Sequence, residues 1–181
     1  MQFASEDLKK EHETVLLALD ILEQVANLAR EDSRANASDI TDMVTFLRTF
    51  ADKCHHGKEE GFLFPAMIKA GMPKERGPIA QMLLDHTQGR KFIAGMADSI
   101  EGEDVKVSKF LENATGYVTL MRVHIQKENT ILFPMGDKVI AAAVQTQLLE
   151  QFGEYEKTIM GAGTHEHLHF MLDKLENKYL N

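Results

Sequence analysis

One eleven-residue stretch occurs twice in this chain. His55 to Pro65 reads HHGKEEGFLFP and His124 to Pro134 reads HIQKENTILFP; the two align without gaps and agree at six positions, His, Lys, Glu, Leu, Phe and Pro. The alignment pairs His55 with His124 and Glu59 with Glu128, so each copy carries a His-x-x-x-Glu. Residues four apart share a helical face about one turn apart, and an imidazole and a carboxylate so placed can point at one spot. That is metal-ligand spacing.

The rest of the chain supplies helices to carry these motifs. Leu8, Val15, Leu19, Leu22 and Val25 recur at three, four and seven, the stripe of an amphipathic helix that Ser5, followed by Glu6 and Asp7, caps and that ends near Arg30. Glu31 to Ala37 reads as a loop. Ser38 caps a second helix, kinked at Pro65 and closed by Gly71-Met72-Pro73. Pro78 opens a third, which runs to Glu101 before Gly102. A fourth runs from Asp104 to Leu132, with Pro134 and Gly136 marking its end. Val139 to Met160 reads as a fifth, Gly161-Ala162-Gly163 as a break, and Thr164 as the cap of a terminal helix. No Asn-Gly or Asp-Gly turn joins alternating apolar runs, so almost no sheet is expected. The expected class is all-α: an up-down-up-down four-helix bundle over residues 1–136, with a C-terminal helical extension over residues 137–181 packing on it.

Size and charge narrow the partners. A chain of 181 residues suits a domain that buries a substantial core without staples. Its 28 acidic and 20 basic residues give a net charge of −8 and are interspersed, so nucleic acid is not an expected partner. No run approaches ~18 apolar residues, and the first residues lack a basic start followed by an apolar stretch; membrane insertion and secretion are not expected. The single cysteine, Cys54, excludes an intramolecular disulfide and fits a cytoplasmic location.

Taken singly, the chemistry-bearing residues have ordinary explanations. A lone helical histidine is usually a hydrogen-bonded core residue, a lone glutamate is usually solvated, and methionines fill cores. Cys54 reads as a small apolar residue, with a redox role as the alternative. The repeat changes the reading of His12 and His86, single histidines on the first and third helices. Together with the two pairs they would put ligands from four helices at one level of the core. Tyr117, seven residues before His124, shares that face as a neighbour or occasional ligand. His165, His167 and His169 have no accompanying carboxylate motif and read as surface or packing residues.

The set resembles the hemerythrin-like, HHE cation-binding family. The resembling motifs are His12 in KEHETVLLALD, HHGKEEGFLFPAM, His86 in MLLDHTQGR and HIQKENTILFPM, spread over residues 12–135. The resemblance implies a non-haem centre of two iron ions, oxo- or hydroxo-bridged, in a four-helix bundle. It implies the ligands His12, His55, Glu59, His86, His124 and Glu128, with both glutamates bridging. In oxygen-carrying members the third helix supplies a second histidine one turn after the first; here that place holds Arg90. His56, about 100° around the helix from His55, can supply the missing nitrogen. His56 with Glu60 is an alternative register, though the repeat favours His55 with Glu59.

Imidazole and carboxylate donors, with no thiolates at zinc-finger spacing, suit iron or manganese better than structural zinc, and iron is expected. Five histidines and two bridging glutamates fill about nine of about twelve octahedral positions and a bridging oxygen about two more, leaving about one open. A diatomic molecule or peroxide would bind there. The first expected function is binding or sensing oxygen, nitric oxide or a related oxidant. The second is a di-iron enzyme of oxidative or nitrosative stress, working by peroxide breakdown, oxidase chemistry or iron repair. The third is a passive bundle with a structural metal. Residues after Met135 are open to use as a lid or as a dimerisation element that would make a homodimer.

Overall fold

Six helices follow one another in the computed structural model, which describes residues 2–161 and 163–181; Ala162, in the expected break, lies outside the described residues. They are α1 (Ala4–Asp32), α2 (residues 37–69), α3 (Pro78–Ser99), α4 (residues 107–139), α5 (Ala142–Met160) and α6 (Thr164–Tyr179). The described residues contain no strand. No helix is long and apolar enough to cross a membrane.

The order in which each helix passes through the core gives the topology. One apolar cluster holds Leu8 of α1, Leu63 and Phe64 of α2, Ile79 and Met82 of α3, and Leu132 and Phe133 of α4. A second holds Val15 to Ala29 of α1, Ile40 to Cys54 of α2, Ile93 and Met96 of α3, and Phe110 to Ile125 of α4. The chain therefore crosses from the first cluster to the second along α1, back along α2, forward along α3 and back along α4. This is the up-down-up-down order, and it leaves a level between the clusters where His12, His55 to Glu59, His86 and His124 to Glu128 lie.

α5 and α6 add to the same cores. Leu148 and Phe152 join the first cluster, whereas Met160, Leu168, Leu172 and Leu175 join the second. α5 thus passes the level between the clusters on the outside of the bundle. The end of α6 is tied to the start of α2, where Lys178 and the Tyr179 hydroxyl both donate to the buried Asp39 carboxylate.

Several helix ends fall elsewhere than the sequence suggests. Ser5 does not cap α1: Phe3 is the flanking residue, and the buried Ser5 hydroxyl donates to Asp137 at 2.8 Å. Asn36, not Ser38, caps α2, accepting from the Ser38 and Asp39 amides. α3 starts at Pro78 as expected and stops at Ser99; α4 begins at Val107. α5 begins at Ala142, and Gly163, at φ 80°, takes the cap position assigned to Thr164.

Pro134 does not end α4, and the reason bears on the site. Leu47–His56 and Glu59–Leu63 in α2, and Glu128–Leu132 in α4, wind as π-helix. The last two occupy the same positions of the repeat, and each stops two residues before its proline. Proline has no N–H to give and its ring crowds the carbonyl four residues back. A turn widened to i→i+5 bonding removes that crowding, so the helix runs on past Pro65 and Pro134 without breaking. Such π turns are frequent at functional sites.

Because α6 shares the second cluster, Leu175→Ala, at a fully buried position, should lower the stability of the whole fold by about 2–5 kcal/mol. Urea unfolding followed by far-UV circular dichroism checks this. A separate early transition, with the main midpoint unmoved, would contradict the shared core.

Candidate metal centre

At the level between the clusters, seven side chains from four helices converge, and none is more than 4% exposed. α1 brings His12, α2 brings His55, His56 and Glu59, α3 brings His86, and α4 brings His124 and Glu128. They form two groups able to hold a cation: His12, His55, Glu59 and Glu128 in one, and His56, Glu59, His86 and His124 in the other. Glu59 belongs to both. Its Oε1 is 3.6 Å from His55 Nε2 and its Oε2 is 3.3 Å from His86 Nε2. Glu128 also straddles the groups, since its Oε2 lies 3.2 Å from Nε2 of both His12 and His124. The structure therefore brings together His12, His55, His56, Glu59, His86, His124 and Glu128, and leaves Glu60 and Tyr117 outside both groups.

His56 joins the second group because α2 is π-wound through Leu47–His56. More residues per turn means a smaller angle between neighbours, so His55 and His56 can both face inward. The His56 ring stacks on that of His86 at 3.8 Å between centroids. Glu60, the alternative carboxylate, points elsewhere: its Oε1 is 2.7 Å from His86 Nδ1.

Each imidazole is held from behind. His12 Nδ1 meets Asn129 Oδ1 at 2.8 Å, His55 Nδ1 meets Glu11 Oε2 at 2.8 Å and His86 Nδ1 meets Glu60. His56 Nδ1 is 3.4 Å from Asp52, and His124 Nδ1 faces Asp85 at 3.6 Å. An acceptor behind Nδ1 keeps the proton there and leaves the inward nitrogen with its lone pair free, the arrangement of metal-bound histidine. Arg90 completes this outer layer. Its Nε and Nη2 reach Asp52 and Glu60, both at 2.8 Å, so it clamps the carboxylates behind His56 and His86.

A cation fits the centre on the structure's own terms. His12 Nε2, His55 Nε2, and both oxygens of Glu59 and of Glu128 are buried and have no hydrogen-bond partner. Buried carboxylates without partners cost several kcal/mol each, and groups this close to one another and this poorly bonded are satisfied by a shared cation. Without one, protons do part of the work. Burial by itself would lower His124, but the Glu128 carboxylate beside it lifts its pKa to about 10. Burial also opposes protonation of His55 and His86, yet Glu59 holds both above the ordinary imidazole value, with help from Glu11 and Glu60. Glu128 is driven well below the carboxylate range despite its burial, chiefly by His124. His56 goes the other way, well below its ordinary value, through burial and the neighbouring His86.

Sequence reasoning missed the outer partners, and their pattern explains why. Glu11 adjoins His12 but serves His55; Asn129 adjoins Glu128 but serves His12; Asp85 adjoins His86 but faces His124. A residue one step along a helix points away from its neighbour's target and toward another helix, so its partner is not visible in one dimension. The other candidates have quieter places. Tyr117 is buried, its ring close to Gly89, and its hydroxyl has no partner. Burial pushes the Cys54 thiol up to about 12, so it packs as a thiol. His165 and His169 lie against each other and against Phe50, with His165 3.9 Å from Glu156.

Residues 4–136 match the family described as the hemerythrin HHE cation binding domain. Among curated proteins, the chain is similar to uncharacterized proteins of Mycobacterium bovis and Mycobacterium tuberculosis, each 22% identical over 162 residues. The match covers 87% of this chain, which spans 63% of the length of those relatives. No solved structure gives a significant match.

Two outcomes follow from the orphaned carboxylates and the raised imidazoles. Glu59→Ala and Glu128→Ala should each lose bound metal yet keep the helical circular dichroism of the parent, because the two apolar clusters remain. Retention of full metal by either variant would contradict bridging. Second, His124 folded carries its proton up to about pH 10 against an ordinary 6.5, so the stability it gains from pairing is complete below about 6.5 and lost as pH rises through about 10. A metal must displace that proton. Titrating a divalent metal into weakly buffered metal-free protein near neutral pH should release protons, and affinity should rise with pH up to that point. Binding without proton release would contradict the assignment.

Proposed function

The chain belongs to the hemerythrin HHE cation binding domain family, and on that premise we propose that it is a non-haem di-iron protein that binds or senses oxygen or a related small oxidant. The observation that carries this reading is the pair of buried donor groups sharing Glu59, with five imidazoles and two carboxylates facing one interior. Mixed nitrogen and oxygen sets without thiolate suit iron.

Two iron ions held there would supply reversible electron transfer and a vacant coordination position, and the protein's own residues decide where and for whom. His56, His86 and His124 would hold one ion and only His12 and His55 the other, which would leave the vacancy on the His12–His55 side. Glu11 and Asn129 orient those two rings. Phe133 stacks on His12 at 5.5 Å and Phe64 on His86 at 5.9 Å, giving the cluster apolar walls. With every ligand side chain buried, the centre suits a molecule of a few atoms better than a larger organic substrate.

Stopped-flow absorption on the reduced, iron-loaded chain tests the proposal. Mixing with oxygen or nitric oxide should change the visible spectrum, and His56→Ala should shift the charge-transfer bands and speed oxidation, because it opens a second position. A reduced protein whose spectrum neither gas alters would contradict the reading.

A further inference from the structure

α5 lies outside the four-helix bundle, yet it touches the ligand-bearing turn of α2 at three successive points. The Tyr155 hydroxyl donates to the Lys53 carbonyl at 2.9 Å. Glu156 Oε2 lies 2.8 Å from Lys58 Nζ. The Phe152 ring sits 5.8 Å from the same ammonium. These residues are spaced three and four apart, so they form one face of α5, aimed at residues 53–58, the stretch containing His55 and His56.

The contacts continue inward. Lys58 Nζ is 2.5 Å from Glu11 Oε1, and Glu11 Oε2 is 2.8 Å from His55 Nδ1. A line of charges therefore runs from Glu156 through Lys58 and Glu11 to His55. Lys58 is wholly buried, which for a lysine requires compensating carboxylates; Glu11 and Glu156 provide them, with Asp7 at 3.9 Å. Gly57 makes the approach possible. A helix interior disfavours glycine by about 0.5–1 kcal/mol relative to alanine, and any Cβ at Gly57 would collide with the Tyr155 hydroxyl.

The repeat supplies an internal comparison. Gly57 and Lys58 correspond to Gln126 and Lys127 in the second copy, and the Lys127 side chain is 41% exposed with only Asp85 near it, at 3.9 Å. The same lysine is thus buried in one copy and solvated in the other. What differs is that α5 covers one copy only.

We propose that α5 is a working part of the metal centre: Tyr155 and Glu156 position His55, through Lys53, Lys58 and Glu11, and set how tightly the ion between His12 and His55 is held. They are positioning residues that touch no ligand-binding atom themselves. The mechanism is electrostatic as well as steric. Glu156 shares the Lys58 charge; without it the ammonium acts on Glu11 alone, Glu11 pulls less on the His55 Nδ1 proton, and His55 becomes a poorer donor. The ion concerned is the one with the vacancy, so α5 reaches the place where the small ligand would bind.

This inference rests on the two-iron reading, and chelator extraction of iron from the loaded full chain separates the two. Wild type should hold two ions; failure there would sink the two-iron reading itself. In Glu156→Gln and Tyr155→Phe, one ion should leave about 10- to 100-fold more readily, as for outer partners of metal-bound histidines generally, while the other leaves at the wild-type rate. The charge-transfer spectrum should shift along with it. Lys157→Met, on the exposed side of α5, should match wild type. Wild-type extraction of both ions in Glu156→Gln would overturn the proposal. So would equal acceleration of both, which marks general loosening; should Glu156→Gln fail to fold, Tyr155→Phe carries the test.

Discussion

Two glutamates buried at the midpoint of the bundle, with none of their four oxygens hydrogen-bonded, constrain the rest of the structure. Carboxylates survive in such a place only beside compensating positive charge. Here the compensation comes from the imidazoles of His55, His86 and His124, whose protonation the carboxylates favour, and, in the family to which the chain belongs, from a bound cation. The apolar clusters above and below are large enough to hold the helices together around this polar layer. The interior can therefore keep a charged centre that a small core could not tolerate.

A second layer makes the first usable. Free imidazoles rotate and choose between tautomers, so each needs an acceptor behind it. For four of the five the chain meets this need crosswise, since the residue next to one ligand supports the ligand of another helix; His56 instead faces Asp52 of its own helix. Arg90 shows how the layers interlock. It stands where oxygen carriers of the family place a histidine, and by bonding Asp52 and Glu60 together it stabilises the backs of His56 and His86. The third histidine of that donor group comes from α2 instead of α3.

Much of the fold was legible because apolar periodicity and metal-ligand spacing both leave a one-dimensional trace. The repeat alone located α2 and α4, the inward pairs and the shared level. The helix ends were less legible: Asn36 outcompetes Ser38 as a cap because its side chain reaches two amides at once. Pro134 misled for a related reason, since proline normally ends a helix and the π turn before it is not written in any residue preference. That same winding decides His56, whose inward direction depends on turn width. Glu11, Asp85 and Asn129 were not legible as partners, because their targets are on other helices. The role of Lys58 was hidden too, for the two copies of the repeat carry the same lysine and only α5 tells them apart.

The central claim is that the two donor groups hold two ions that share Glu59. Anomalous diffraction at the iron edge from crystals of the iron-loaded chain tests this most directly. The account predicts two peaks about 3.5–4 Å apart, both within bonding distance of Glu59, one beside His12 and His55 and the other beside His56, His86 and His124. A single peak, or two that do not share Glu59, would contradict it.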